Sequence, residues 1–411
     1  MPIHQRRPAI LHAIVTFSWL VLAACKNGQP PARGPAGGEG ALPAAATAGS
    51  GAAPDGSVGG AVGAMPIPSG SVNAAAGVAP EAARPQARPQ EKIDVHETAM
   101  GTHLTFVAYT TDTVDAAATR AAIAQAVLEM RRLEALMSEW QPDSEIGRLN
   151  ATAGEWVSVS PETLEVLDKA LWAGKVSGGV FDITFQAMGG LWKFGSAMEA
   201  APKPPTRAEI QAAKKLIDYR KVESDATAKR ARIGPGQSIG LGGIAKGYIV
   251  DRAVRVLTNA GLRAFLVQAG GDLYGAGHKP DGTRWVSGIQ DPRGAMGQFF
   301  ATIELEDRAF STAGDYARSY VTGGKRYHHI IDPRTGYPAT ACRSVTVWAP
   351  DAFVADAIDD AVFILGPEKG LALIESLEGV GAVIVDHKNK VHISARLKDK
   401  VRILKQPTDG T

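Results

Sequence analysis

Cysteine is almost missing from this sequence: its 411 residues contain two, Cys25 and Cys342. Two thiols so far apart make no disulfide framework, which excludes a small cross-linked scaffold. Net charge is almost missing too, at +2. Nothing therefore points to bulk electrostatic binding of nucleic acid, and none is expected as a partner. No short internal repeat is visible. The apolar run from Ala9 to Ala24 is interrupted by His12, Thr16 and Ser18. It falls short of the roughly 20 apolar residues that span a bilayer. What is present is ordinary for a soluble globular protein: 45% hydrophobic and 21% charged residues, in a length that suits one large domain or two ordinary ones.

The apolar run follows Arg6 and Arg7, so it suits the core of a secretory signal. It ends in Leu22-Ala23-Ala24-Cys25, which looks like a bacterial lipobox; the alternative is a plain signal peptide with an accidental cysteine. Acylation of Cys25 would leave the protein extracytoplasmic, anchored to a lipid bilayer and facing the periplasm without spanning it. Residues 1–25 are thus read as a lipoprotein signal and 26–90 as a disordered tether. Ala, Gly and Pro make up 41 of those 65 residues, and no aromatic occurs. Such a segment buries too little apolar surface to offset its ordering entropy. The folded domain is expected over 91–405.

Within that domain helical and strand patterns mix, which gives an α/β or α+β class. The spacing of Ile123, Val127, Met130, Leu133 and Met137 predicts a long helix over 115–139. Further helices are expected over 161–174, with Ser160 as N-cap, and over 206–217, 245–260, 352–365 and 369–377. Strands are expected over 103–109, 264–268, 285–289, 301–306 and 344–349. A terminal hairpin is expected from 381–386 and 390–394, with Lys388-Asn389 at its turn.

Five constellations carry candidate chemistry. Gly240-Leu241-Gly242-Gly243-Ile244-Ala245-Lys246-Gly247-Tyr248 lets backbone approach an anion and aims a helix N-terminus and Lys246 at it. It lacks Walker spacing, and a ligand-free turn is the other reading. Asp356 and Asp360 are four apart and share a helix face, where a hard cation such as Mg²⁺ or Ca²⁺ would relieve their repulsion. Asp359 points off that face, to solvent. In Tyr327-His328-His329-Ile330-Ile331-Asp332-Pro333-Arg334-Thr335-Gly336, at most one of the adjacent histidines faces a ligand, and either can be structural. Ala269-Gly270-Gly271-Asp272 and Gly178-Gly179-Val180-Phe181-Asp182 each pair a tight glycine turn with an acid, and each can equally be a turn without a ligand. Trp140 follows a helix and either covers a flat ring or packs in the core.

Taken together with Met100-Gly101-Thr102, Met137-Ser138-Glu139-Trp140, Pro142-Asp143-Ser144-Glu145 and Ser311-Thr312-Ala313-Gly314-Asp315-Tyr316, these motifs resemble the ApbE family of FAD:protein FMN transferases over about residues 95–395. The resemblance implies a mixed α/β fold related to tunnelling folds. It implies an enzyme that uses Mg²⁺ and FAD, cleaves the pyrophosphate, releases AMP, and esterifies FMN to Thr or Ser of acceptor flavoproteins. Those acceptors would be membrane redox-complex subunits or periplasmic flavoproteins. By position, Met100, Trp140, Val180, Phe181, Asp182, Lys246, His329 and Ile330 match FAD-contacting places. Gly243, through its carbonyl, with Asp356 and Asp360, matches the metal site. His329, or a carboxylate near the metal such as Asp356, would take the proton from the incoming hydroxyl.

The chain also departs from the family pattern. Gly240 stands where the family usually has an acid that contacts FAD, Asp360 where it often has Thr, and Gln268 where it often has Asn. Two other readings stand beside this one: an extracytoplasmic FAD-binding protein, which Gly240 keeps open, or a pyrophosphatase yielding FMN and AMP, with water in place of the acceptor hydroxyl.

Overall fold

The computed structural model describes residues 89–194 and 203–410. Cys25, the expected signal over 1–25 and almost all of the expected tether lie outside the described residues. An eight-stranded sheet forms the frame. Its strands are β1 (Lys92–Ala99), β2 (Thr102–Tyr109), β3 (Phe265–Ala269), β4 (Asp272–Ala276), β5 (Arg308–Gly314), β6 (Cys342–Ala349), β7 (Gly381–Asp386) and β8 (Val391–Ile393). They lie side by side in chain order. Each neighbouring pair is antiparallel.

Both faces of this sheet are covered, and the side-chain alternation shows by what. Leu104, Phe106 and Ala108 of β2 join the core under the helices, while Val107 between them joins the core under a second sheet. That second sheet pairs Trp285–Gln290, Phe299–Leu305 and Val401–Ile403. In β7, Ala382 and Ile384 face the helices, and Val383 and Val385 face the second sheet. Adjacent residues in opposite cores are the geometry of a strand buried on both sides. It explains why these segments read as unbroken apolar runs.

Four helices lie on the other face: α1 (Ala116–Met137), α2 (Pro161–Val176), α3 (Ala245–Asn259) and α4 (Ala352–Ser376). α1 starts at Asp115, whose side chain accepts from the Ala118 N–H, and buries Ile123, Val127, Met130, Leu133 and Met137. Ser160 caps α2 through the Thr163 N–H. Thr206 and Glu209 form a reciprocal capping box on the shorter helix Arg207–Lys214. The two helices expected over 352–377 form one segment, broken where Gly366 takes φ 80° before Pro367. Cys342 is buried in β6, and burial pushes its thiol up to about 12, so it is an inert core residue.

β1, β4, β5 and the helix Glu145–Ala151 were not expected. β1 is an edge strand, paired on one side only, and its sequence KIDVHETA buries little. Its hairpin partner explains it. Ala99 pairs with Thr102 across Met100 (φ 54°) and Gly101 (φ 63°), the two left-handed residues of a type I′ turn.

α3 and α4 cross so closely that only glycine fits at 247. A β-carbon there would stand 2.2 Å from the Ala352 carbonyl oxygen and 2.8 Å from the Asp356 β-carbon. Gly247→Ala must push the two helices apart. We expect a loss of about 1–3 kcal/mol, the usual cost of overpacking, read as a lower midpoint in thermal unfolding. An unchanged midpoint would contradict this close crossing.

Candidate functional site

The crossing of α3 and α4 gathers a set of buried charges. α3 begins at Ile244 with no side-chain cap, so its first N–H groups find partners elsewhere. One of them, that of Gly247, donates to Asp356 Oδ2 at 2.8 Å, across to α4. Lys246 Nζ lies 2.7 Å from Asp272 Oδ2 and 3.3 Å from Asp356 Oδ1. Asp272 opens β4 directly after the two-residue turn at Gly270 (φ 60°) and Gly271, which delivers its carboxylate to the helix side of the sheet. Asp272 is fully buried, and its Oδ1 has no hydrogen-bond partner. Gly243 approaches from the other side: a β-carbon there would stand 2.9 Å from Asp360 Oδ2 and 3.6 Å from the Phe181 ring. Glycine is required for this approach of backbone to carboxylate.

Asp359 corrects the expectation that it points to solvent. It is buried, and its Oδ2 accepts from Ser311 Oγ at 2.7 Å. α4 is apolar all round, so even the position between the two paired acids faces protein.

Burial and mutual repulsion dominate these groups. Burial, helped by the Asp272 charge and opposed by Lys246, pushes Asp356 up to about 7. Burial pushes Asp360 up to about 6, with Lys246 opposing. Burial and the charges of Asp360 and Asp356 hold Asp359 well above the usual carboxylate range. Burial pulls Lys246 down, but Asp272 and Asp356 outweigh it and hold the ammonium above its ordinary value. One cation thus serves a group of four acids, and the excess negative charge is costly in a buried place.

These donors fit a hard divalent cation. Among the described residues no three His, Cys, Asp or Glu side chains are arranged to hold a metal by themselves. The Asp360 carboxylate lies beside the Gly243 backbone, and that of Asp356 one helical turn away beside Gly247. Mg²⁺ characteristically takes one or two carboxylates and completes its shell with water and substrate phosphates. The unpartnered Asp272 Oδ1 and the raised carboxylates are features that such a cation would offset.

The other residues singled out in the sequence divide into two groups. Some are spent on the protein itself. Asp182 gives Oδ1 to the Thr184 N–H and hydroxyl and Oδ2 to the Tyr219 N–H, so it caps the short helix Ile183–Met188. Val180 and Ile330 are core residues, and the Ile330 carbonyl accepts from the Ala339 N–H. His328 receives the Ile330 N–H on Nδ1 at 3.3 Å, which leaves Nε2–H to donate to the Ala339 carbonyl at 2.7 Å. Its ring is locked, so it is the structural histidine of the pair.

The remaining residues keep surface or polar atoms to spare. The His329 ring is half-buried and its Nδ1 has no partner. Burial, then the neighbouring His328 and Arg318, pulls it down to about 3, so it is neutral at physiological pH. Trp140 is 78% exposed, which excludes a core role. Its neighbour Glu139 brings Oε1 to 3.9 Å from the β-carbon position of Gly242, which ties this corner to the glycine turn. Met100 is half-buried on its hairpin turn; the next turn residue but one, Thr102, packs on Gly270. Sequence reasoning assigned no role to Asp272, Asp359, Ser311 or Glu139. The signal for Asp272 was available: an acid opening an apolar strand, LYGA, directly after a glycine turn.

Comparison with known proteins bears on this geometry. Residues 100–384 match the model of the ApbE family. A FAD:protein FMN transferase of Treponema pallidum is 34% identical over 307 residues, covering 70% of this chain and 83% of that protein. One from Vibrio cholerae is 33% identical over 245 residues, covering 58% and 72%. The ApbE protein of Thermotoga maritima superposes with a TM-score of 0.69 at 32% identity, covering 76% of this chain and all of that one. The flavin transferase ApbE of Vibrio cholerae superposes with a TM-score of 0.66 at 27% identity. The matched region holds the glycine turn, Asp272, His329 and the acids of α4, and the chain belongs to the ApbE family.

Proposed function

We propose that this protein is an FAD:protein FMN transferase. It uses Mg²⁺ to cleave FAD and attach FMN to a Thr or Ser hydroxyl of an acceptor flavoprotein, with release of AMP. The observation that carries the reading is the group of buried acids at the uncapped head of α3, around one lysine. The relatives' names supply the transferase chemistry, and the group of acids supplies a site suited to it. Asp356, Asp360 and the Gly243 carbonyl would hold the ion, which when bound would offset phosphate charge and act as Lewis acid.

The chain's own residues would do the rest. The Lys246 ammonium, at the positive end of α3, would hold the pyrophosphate. Phe181 and the exposed face of Trp140 would flank the flavin, with Met100 at the neighbouring turn. Val180 and Asp182 would set the position of Phe181. The acceptor oxygen forms a bond to the FMN phosphorus as the anhydride oxygen leaves with AMP, and the hydroxyl proton passes to a base. His329 is the candidate for that base: its Nδ1 is unpaired and neutral, though burial makes it a weak one. Acylation of Cys25 would hold the enzyme on a bacterial membrane, facing the periplasm, near acceptors such as membrane redox-complex subunits. No helix among the described residues is long and apolar enough to cross a membrane.

Incubation with FAD, Mg²⁺ and an acceptor protein tests the reaction. Transfer gives flavin-labelled acceptor and AMP. Free FMN plus AMP would indicate a pyrophosphatase instead, and unchanged FAD a binding protein. Asp356→Ala is expected to abolish transfer, and Asp360→Ala to raise the Mg²⁺ requirement at least tenfold. Asp359→Asn keeps an acceptor for Ser311 and should retain most activity. Because Asp356 and Asp360 must give up protons to bind the ion, Mg²⁺ affinity should rise from pH 5.5 to 7.5. A pH-independent affinity would count against these ligands.

The neutral His329 makes a second prediction, on stability. Its folded value lies below the ordinary histidine value, so below about pH 6.5 the unfolded chain binds a proton that the folded one refuses. Its contribution is therefore full above that pH and lost on acidification. His329→Asn should lose less stability than the parent between pH 7 and pH 5 in denaturant titrations. Equal losses would mean that His329 is protonated in the fold. For Cys25, Cys25→Ser should leave the membrane fraction or accumulate as precursor. A mature N-terminus cut elsewhere, without acyl chains, would refute the anchor.

A further inference from the structure

The short helix Ile183–Met188 carries one side chain that neither the fold nor the proposed reaction has used. Gln186 is half-buried, and its carboxamide lies between two glycines. A β-carbon at Gly240 would stand 2.8 Å from its Oε1 and 3.3 Å from its Cδ. One at Gly189 would stand 3.1 Å from its Cδ and 3.1 Å from its Nε2. Neither position can carry a side chain unless Gln186 moves. The Gly240 N–H also donates to the Ile183 carbonyl at 2.9 Å, which pins this stretch to the head of the helix that carries Gln186. The carboxamide thus lies close to the backbone of buried Gly240 on one side and of exposed Gly189 on the other. Yet neither Oε1 nor Nε2 makes a hydrogen bond among the described residues.

A polar group fixed in place with its donor and acceptor unspent is preorganised for a ligand, because little rotamer freedom remains to be lost on binding. Its location fits that role. Gly240 leads directly into Leu241-Gly242-Gly243, the turn that meets Glu139, Phe181 and Asp360. Gly240 itself has no side chain with which to touch anything. A neutral carboxamide offers one donor and one acceptor side by side. Its complement is a heteroaromatic edge with an adjacent acceptor and donor. FAD has two: the pyrimidine edge of the isoalloxazine and the amidine edge of the adenine.

We propose that Gln186 is a ligand-positioning residue of this site, pairing through its carboxamide with a donor–acceptor ring edge of FAD, and that glycine at 240 leaves it room to do so. The proposal rests on the FAD reading above. The test is equilibrium binding, followed by flavin fluorescence for FAD and FMN and by calorimetry for ADP, on the full chain and its variants. Parent protein that binds no FAD would overturn both readings. If the parent binds FAD, Gln186→Ala should weaken FAD binding about five- to tenfold, the usual worth of one or two hydrogen bonds. The same factor should appear for FMN alone if the edge is the flavin's, and for ADP alone if it is the adenine's.

Gln186→Glu keeps the size and loses the donor, and should weaken the same ligand at least threefold at pH 8. Gly240→Glu placed in Gln186→Ala fills the vacated space with an acceptor and should recover part of the affinity. Gly240→Glu in the parent meets Gln186 and should not improve it. If Gln186→Ala and Gln186→Glu fold with parental melting midpoints and bind FAD, FMN and ADP within twofold of the parent, the carboxamide is merely solvated and the proposal fails.

Discussion

The burial of Asp272, Asp356, Asp359 and Asp360 around the single ammonium of Lys246 is the constraint on which the rest depends. A buried carboxylate is tolerated only if it is protonated, paired or bound to a cation. Lys246 bridges Asp272 and Asp356 and so ties the sheet to α4, but it cannot neutralise the whole group. Ser311 answers for Asp359 and the Gly247 N–H for one oxygen of Asp356. Asp272 Oδ1 is left without an answer. A core assembled for stability alone would not keep this deficit, since apolar residues of the same size usually serve better. The deficit is what a bound cation, as proposed above, would offset.

Glycine makes the group possible. At 247 a side chain would collide with the backbone of α4, and at 243 it would meet the Asp360 carboxylate. The first glycine lets two helices approach until an N–H of one reaches a carboxylate of the other. The second lets a bare backbone lie against an acid. Each weakens its local element, and the weakness is offset by the sheet beneath, which is covered on both faces and holds the crossing in register.

The parts of this molecule that sequence alone disclosed are those whose signal is local. Helix α1 announces itself through five apolar residues at helical spacing, and Ser160 acts as a cap because a hydroxyl before a helix has one dominant use. The hidden parts depend on partners far along the chain. β1 is polar and half-exposed, and becomes a strand only because its type I′ turn folds it onto β2. Asp359 looks like a solvated helix acid when read beside Asp356 and Asp360, since nothing nearby says that α4 is covered on all sides. Its partner, Ser311, lies 48 residues away. Asp182 reads like a ligand-contacting acid, yet both of its oxygens are committed to capping. The motif residues were therefore visible, but the division between those whose polar atoms are spent within the fold and those with atoms to spare could be read only from the hydrogen bonds.

That division has a physical order. Residues with every polar atom spent, such as Asp182 and His328, lie behind residues with atoms to spare, such as His329 and Gln186. A committed group has a fixed geometry, and it transmits that geometry to the next group along the chain. His328 is locked by the Ala339 carbonyl, so the direction of the chain into His329 is set. Asp182 caps the helix on which Gln186 stands, so the carboxamide starts from a fixed base. The proposed transfer would need such an arrangement, because alignment of the reacting groups supplies much of the rate of a group transfer. Trp140, exposed at the turn after α1, would suit a flat ring that arrives and leaves, whereas the buried acids would suit a charge that must stay where it is put.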